Sequence, residues 1–471
     1  MAGFLGVDLG TSGLKLTLVD EDGSVVAEAE ARYAVRSDEA GYAETDPTDW
    51  ATALERALAD LTPHARDFAI GAVGFTGQMH GLVLTDARGE PLRPAVLWPD
   101  QRAATALDRW RTLPDGVTSR LGNPLVAGMA GPMLTWLAEH EPASVAAAAT
   151  VRSPKDWLRS RLTSDTVTER SDASATLLWD VVADDWSPEA LAVASVDSAM
   201  LAEVRDCDAV VGNTRLPIGS NAGLEVPVVT GGADTACALS GLRSRYGGEG
   251  WADTMVINLG TGIQVVRPQE KGQARLHPVT HQYADTDGAW YEMLAVQNGG
   301  LALGWVQRVL RLSWDDFVEA ARAATPGAQG VRFLPFLTGE RGGVAGPGST
   351  GGWSGLTASA GVPELARSAF EGLAFTIRRA VELLSPLPAR LLLTGGGARE
   401  EWVCQLVTDV LARPVEHVRL RSASAVGAAL LAARSQGVQL VPPAETQTLT
   451  PLPAPELEAG YAAWVAAVAT T

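Results

Sequence analysis

A glycine-rich turn between two apolar runs, G-V-D-L-G-T-S-G-L-K over residues 6–15, constrains this chain more than any other stretch. Phe4 to Leu9 reads as a strand and Leu14 to Asp20 as its antiparallel partner, so the residues between them form the hairpin turn. Gly10 and Gly13 allow positive φ and close backbone approach, Thr11 and Ser12 add hydroxyls, and the exposed amides can form a concave nest for an anion. Asp8 stands at the strand end, where a carboxylate facing phosphates needs a metal between them. Met255 to Val266 repeats the arrangement as M-V-I-N-L-G-T-G-I-Q-V-V. Two phosphate-sized hairpins so far apart imply a duplicated domain with a nucleotide in the cleft.

A chain of 471 residues exceeds one ordinary core, which points to two or three domains. The formal charge of −18 argues against nucleic acid or an anionic membrane as partner, since both need clustered Lys and Arg. Cys207, Cys237 and Cys404 are odd in number and widely spaced, so neither a disulfide framework nor a zinc site is indicated. The chain opens directly on a strand pattern and contains no continuously apolar run of spanning length. A soluble cytoplasmic protein is the expectation. The Trp residues, 14 of them, read as buried or interface packing rather than a binding platform.

After the first hairpin, Ser24 to Tyr33 is a third strand, Asp46-Pro47 opens a helix with Asp46 as N-cap, and Ala69 to Phe75 returns as a strand. The order βββαβ is that of an actin-like, ribonuclease-H-type α/β domain. Short helical patterns follow over Pro132 to His140, Pro154 to Leu162 and Pro188 to Val204. Val226 to Gly232 reads as a strand ending in G-G-A-D-T and an Ala-rich helix. Tyr246-Gly247-Gly248-Glu249-Gly250 is the expected boundary and hinge, dividing the chain into domains 1–245 and 246–471. In the second half, Thr338 to Gly355 reads as a long Gly-rich loop and Val441 to Pro455 as a linker to a last helix.

Three Gly-rich turns thus follow three apolar strands, at Gly10-Gly13, Gly260-Gly262 and Gly395-Gly397. In a two-domain actin-like fold the first two hold phosphates from opposite sides, and the third lets backbone approach adenine and ribose. At this point the sequence resembles the FGGY carbohydrate kinases, and within them most closely the xylulokinases. The carriers are G-V-D-L-G-T-S-G-L-K, T-G-Q-M-H-G, W-P-D-Q-R, S-P-K-D-W-L, G-G-A-D-T, N-L-G-T-G, F-L-T-G-E-R and T-G-G-G-A, in this order over nearly the whole chain. The resemblance implies two ribonuclease-H-like domains of the actin and hexokinase type, ATP and Mg²⁺ as cofactors, and a small sugar as substrate. It is also compatible with a homodimer. Glycerol kinases carry Arg-Glu where this chain has Met79-His80, which favours a ketopentose. Pro99, Gly342-Gly343 and Thr235 depart from the usual Asn, Thr-Pro and Asn of xylulokinases, and bear on the sugar rather than the reaction.

Phosphoryl transfer needs alignment, charge neutralisation and a base. Asp234 is the candidate base, standing clear of the backbone after two glycines; it also reads as the N-cap of the helix beginning near Thr235, and both can hold. Asp8 is assigned to Mg²⁺, against a plain turn Asp. Gly10, Thr11, Ser12, Gly260, Thr261 and Gly262 are the phosphate donors, and Lys15 either joins them or is an edge charge. Gly300, Gly396, Gly397 and Ala398 are expected to face the nucleotide. His80 is expected to bond a sugar hydroxyl, with Gln78, Met79 and Thr235 around the sugar and Trp98 and Arg102 as further pocket candidates. Lys155 and Asp156 read as a helix-start ion pair, and Asp165, Asp172, Asp184 and Asp185 as solvated charge. The leading reading is a D-xylulose kinase. The alternatives are a kinase of another ketose or polyol such as ribulose, and an actin-like ATPase switch without a sugar.

Overall fold

A computed structural model describes residues 1–37, 41–247 and 249–469. Two seven-stranded sheets carry the chain, and they are built alike. In the first, Ala2–Leu9, Gly13–Asp20 and Val25–Arg32 form an antiparallel meander. Ala69–Gly77 then adds parallel to the first strand and Glu225–Val229 parallel to that. In the second, Thr254–Leu259 and Ile263–Gln269 pair antiparallel and continue into Trp290–Val296, while Arg390–Thr394 and Val415–Arg419 add in parallel. Each sheet therefore sends a glycine hairpin out of its meander beside parallel strands, the end at which open α/β sheets present ligands.

The first strand is apolar on both faces because both are covered, Leu5, Val7 and Leu9 on one side and Phe4 on the other. The Pro47–Ala65 helix closes one side, with Trp50, Leu54, Ala57, Leu58 and Leu61 buried as their spacing requires. Its N-cap Asp46 accepts the Thr48 amide at 2.9 Å. The other side is covered by a helix from the far end of the sequence, Ala423–Ser435. Glycines let it approach so closely: a Cβ on Gly6 would stand 1.8 Å from Ala425 O, and one on Gly74 2.0 Å from Ala428 O. The same helix meets Asp234–Tyr246 through Gly427, where a Cβ would stand 1.9 Å from Cys237 O.

Several expectations need correction. The Val441 to Pro455 stretch is no plain linker, since Glu445–Leu449 pairs antiparallel with Val415–Arg419 and supplies the edge of the second sheet. The helix starting at Pro188 ends at Ala194 on left-handed Ser195, and Glu203–Arg205 is a strand beside Val167–Glu169. Within the Gly-rich loop, Gly352–Ser354 pairs with Arg332–Leu334. Asp165 and Asp172 are not solvated: with Glu169 they bury against Lys155 and Arg159. Lys155 does pair with Asp156 at the helix start, at 2.7 Å, but wholly inside the protein. Of the expected hinge, Gly248 lies outside the described residues.

Candidate active site in the cleft

Asp8 and Asp234 line one cavity of about 970 Å³ between the two sheets, together with Lys15, Thr235, Asn258, Gly395, Gly396 and Ala398. Asp8 sits one residue before the end of its strand, opposite Lys15 across the hairpin. Asp234 opens its helix directly behind Gly231 and Gly232. Gly231 adopts φ 87° with the chain pressed against Phe75, where a Cβ would stand 1.9 Å from the carbonyl. The helix N-cap is Ala233 rather than Asp234. Asp234 Oδ1 instead accepts the Thr235 amide at 2.6 Å and the Thr235 hydroxyl at 3.2 Å, leaving Oδ2 outside these bonds. Burial lifts the Asp8 carboxyl to about 7, with the charge of Asp234 adding and Lys15 opposing. Burial likewise lifts Asp234 to about 6, against the Thr235 bonds that favour its ionised form.

The T-G-Q-M-H-G segment follows the Ala69–Gly77 strand and is tied to the first hairpin. Gln78 N donates to Leu9 O at 2.9 Å, and Gln78 Nε2 to Gly10 O at 3.2 Å, while its Oε1 is buried without a partner. Met79 is buried. His80 turns into the left-handed region at φ 72°, and its Nδ1 lies 2.7 Å from Ala175 O. A carbonyl only accepts, so Nδ1 carries the proton and Nε2 presents a lone pair. Burial pulls the imidazole down to about 4, so it is neutral near pH 7.

Trp98 donates its indole N–H to Thr11 Oγ1 at 2.9 Å, which places it on the first hairpin. Arg102 pairs with Asp100 and Glu44, each at 2.8 Å, and lies over the Tyr42 ring, while its Nη1 is buried without a hydrogen-bond partner. The structure thus joins Arg102 to a buried ion-pair network. Gly260, Thr261, Gly300, Gly396 and Gly397 line a second cavity of about 670 Å³. There the hairpin docks on a helix start, Gly260 O accepting from Gly300 N and Thr261 O from Leu301 N, both at 3.0 Å. Gly262 lies against Val296, where a Cβ would stand 2.6 Å from the carbonyl, so its role is close packing.

Three residues that the sequence motifs left without a role stand near His80. Tyr283 packs on its ring at 5.6 Å between centroids and hydrogen-bonds His281 Nδ1 at 2.8 Å through its hydroxyl. Arg341, from the F-L-T-G-E-R motif, bears electrostatically on all three. The alternation of His281 and Tyr283 on one strand face was the available signal, hidden by the absence of any glycine motif around it. Arg308 on the second cavity's wall was missed in the same way.

Both halves of the chain match models of one family. Residues 4–241 match the FGGY family of carbohydrate kinases, N-terminal domain, and residues 255–436 its C-terminal domain. The xylulose kinase of Escherichia coli K12 is 31% identical over 440 residues, covering 92% of this chain and 89% of the relative. The xylulose kinase of Streptomyces coelicolor is 34% identical over 437 residues, 91% of this chain and 87% of that one. The crystal structure of xylulose kinase from Rhodospirillum rubrum superposes with a TM-score of 0.89 at 25% identity, covering 99% and 98% of the two chains.

Proposed function

The chain belongs to the FGGY family of carbohydrate kinases and is an ATP-dependent sugar kinase, and on that premise we propose that it transfers the γ-phosphoryl group of ATP to O5 of D-xylulose, with Asp234 as general base. The observation that carries this reading is the placement of Asp234: a half-buried carboxylate, held by one oxygen on a helix start, lining the same cavity as Asp8. The names of the aligned relatives support the choice of sugar.

In this mechanism the Asp234 Oδ2 accepts the proton of the sugar hydroxyl as its oxygen bonds to the γ-phosphorus. The bond to the β–γ bridging oxygen breaks, and ADP departs with those electrons. Thr235 holds the carboxylate in place through Oδ1. Hydroxyls and amides of Thr11, Ser12 and Thr261 donate to phosphate oxygens, while Gly300, Gly396, Gly397 and Ala398 admit the adenosine. His80 Nε2 accepts from a sugar hydroxyl and Met79 packs on the carbon chain. The domains, 1–245 and 246–471, close on the two substrates about the Tyr246 to Gly250 link, which excludes water.

The residues present fit Mg²⁺. Asp8 and Asp234 line one cavity, and the charge of Asp234 raises Asp8 against the opposing pull of Lys15, a repulsion that a hard cation relieves. Among the described residues no group of three or more His, Cys, Asp or Glu is placed to cage a metal, so phosphate oxygens and water would complete the shell. Asp8 would hold the ion. Bound there, Mg²⁺ supplies neutralisation of charge on the phosphate oxygens. A coupled ADP-release assay over pentuloses, hexuloses and polyols tests the reading. Turnover should depend on sugar and be most efficient with D-xylulose; full-rate turnover without sugar overturns it.

A further inference from the structure

Arg341 is a cation without a counterion. Its Nε is buried with no hydrogen-bond partner, and its guanidinium forms no ion pair among the described residues. The neighbouring carboxylate is already spent: Glu340 accepts the backbone amides of Gln297, Asn298 and Arg341 at 2.8, 3.3 and 2.9 Å, and the Asn298 side chain at 2.9 Å. That anchor fixes where Arg341 stands. One residue further on, Gly342 turns at φ 76° and presses on the preceding strand, where a Cβ would lie 3.0 Å from Ala295 O. Arg341 is therefore held along the end of the Trp290–Val296 strand. The face that carries Tyr291, Met293 and Ala295 is the one that packs with Tyr283 and Met79 across the cleft. An unpaired, largely desolvated guanidinium is unfavourable unless a ligand supplies an acceptor.

The chemistry of the proposed substrate supplies one. A 2-ketopentose closes its furanose ring by adding the 5-hydroxyl to the C2 carbonyl. The hydroxyl that receives the phosphoryl group is thus free only in the open chain, and the open chain carries a bare ketone three carbons away. Tyr283, in ring contact with His80 at 5.6 Å, feels the charges of both Asp234 and Arg341.

We propose that Arg341 is a specificity-determining residue that donates its guanidinium hydrogen bonds to the C2 ketone of an open-chain ketose, while O5 lies at Asp234. The assignment rests on the ketopentose reading given above. Burial lowers both His80 and His281, which leaves Arg341 as the charged donor beside them.

The experiment measures kcat/KM of the wild type, Arg341→Met and Arg341→Lys with D-xylulose and with the pentitols that reduction at C2 gives. A lost charge-assisted bond to the ketone lowers the ketose-to-pentitol ratio by about 10- to 100-fold in Arg341→Met, with ADP affinity retained as the check on folding. Arg341→Lys, which keeps the charge but not the fork, lowers the ratio by about tenfold and carries the test if the Met variant does not fold. Equal losses on ketose and pentitol overturn the proposal and make Arg341 a structural residue. A wild-type preference for a pentonate that vanishes in Arg341→Met overturns it in favour of a carboxylate ligand. If the wild type phosphorylates no pentulose, the D-xylulose reading itself fails, and the ketone assignment falls with it.

Discussion

The charge of Asp234 bears on Asp8 across the cavity both residues line, and together with burial it lifts the Asp8 carboxyl to about 7. Two carboxylates so placed can divide the handling of one proton and one cation between them. Asp234→Asn preserves shape but removes the proton acceptor, so kcat should fall by about 10²–10⁴ while sugar and nucleotide affinities stay near those of the wild type. Asp8→Asn should instead shift the Mg²⁺ dependence, with activity partly restored at high metal concentration. Rates measured against Mg²⁺ for both variants separate the roles. Rescue of Asp234→Asn by metal, with Asp8→Asn inert, would reverse the two assignments.

The pH profile follows from the same geometry. Burial raises Asp234 to about 6, and a base must be ionised to act, so at saturating Mg²⁺, which holds Asp8 ionised, kcat/KM should be level above pH 6 and fall about tenfold per unit below it. His80, pulled down to about 4, stays neutral over this range and adds no second limb. Initial rates from pH 5 to 8.5 at low sugar test this. A level profile through pH 5 would remove Asp234 from the role.

Close approach of the Ala423–Ser435 helix to the first sheet makes a stability prediction. In Gly6→Ala the new methyl would stand 1.8 Å from Ala425 O, a backbone atom that cannot rotate away. The helix must lift, and a loss of about 3 kcal/mol or more is expected. Gly116→Ala is the control: it lies in the Asp115–Leu121 helix with nothing within 4 Å of the new carbon, and should stabilise by about 0.5–1 kcal/mol. Urea unfolding of both variants checks the contrast.

That helix also shows where sequence reading stops. A-S-A-V-G-A-A-L-L-A-A-R-S has no polar face, because both sides are buried, and its Ser422 start is left-handed with no capping bond. Neither periodicity nor a cap marks it, and its partners Gly6 and Gly74 lie hundreds of residues away. The hairpins, by contrast, were legible because turn chemistry is local: Gly10-Gly13 and Gly260-Gly262 stand where their spacing puts them. The catalytic candidates Asp8 and Asp234 were legible for the same reason, each beside glycines at a strand end. Tyr283, His281 and Arg341 were not, since they meet His80 only through the pairing of one sheet's edge and a loop anchored by Glu340. The Arg102 pairs with Asp100 and Glu44 were not legible either, because a lone Arg near a motif looks the same in sequence whatever it meets.

The last prediction concerns the buried charges around Lys155. Its ammonium lies 2.7 Å from Asp156, 3.3 Å from Asp172 and 3.6 Å from Glu169, while Arg159 pairs with Asp156 and Asp165 at 2.6 Å each. Asp156 Oδ2 and Asp172 Oδ1 are buried without partners, so the two cations do not saturate the four carboxylates. Burial, with Glu169 and Asp156 adding and Lys155 opposing, raises Asp172 to about 7. The folded protein thus holds this proton more tightly than the unfolded chain, where the carboxyl titrates near 3.9. The resulting stabilisation is complete below about pH 4, falls by up to about 1.4 kcal/mol per unit between about pH 4 and 7, and is gone above that range. Asp172→Asn mimics the protonated form and lacks this slope. Between pH 5 and 7 the wild type should therefore lose about 2 kcal/mol relative to the variant, with little further change above pH 8, as read by urea unfolding. Lys155→Met, which strands the carboxylates, should cost about 3–5 kcal/mol at pH 7 and less at pH 5, where Asp172 is protonated. A gap between wild type and Asp172→Asn that does not change with pH would mean that Asp172 stays ionised and that Lys155 is shared by three full charges.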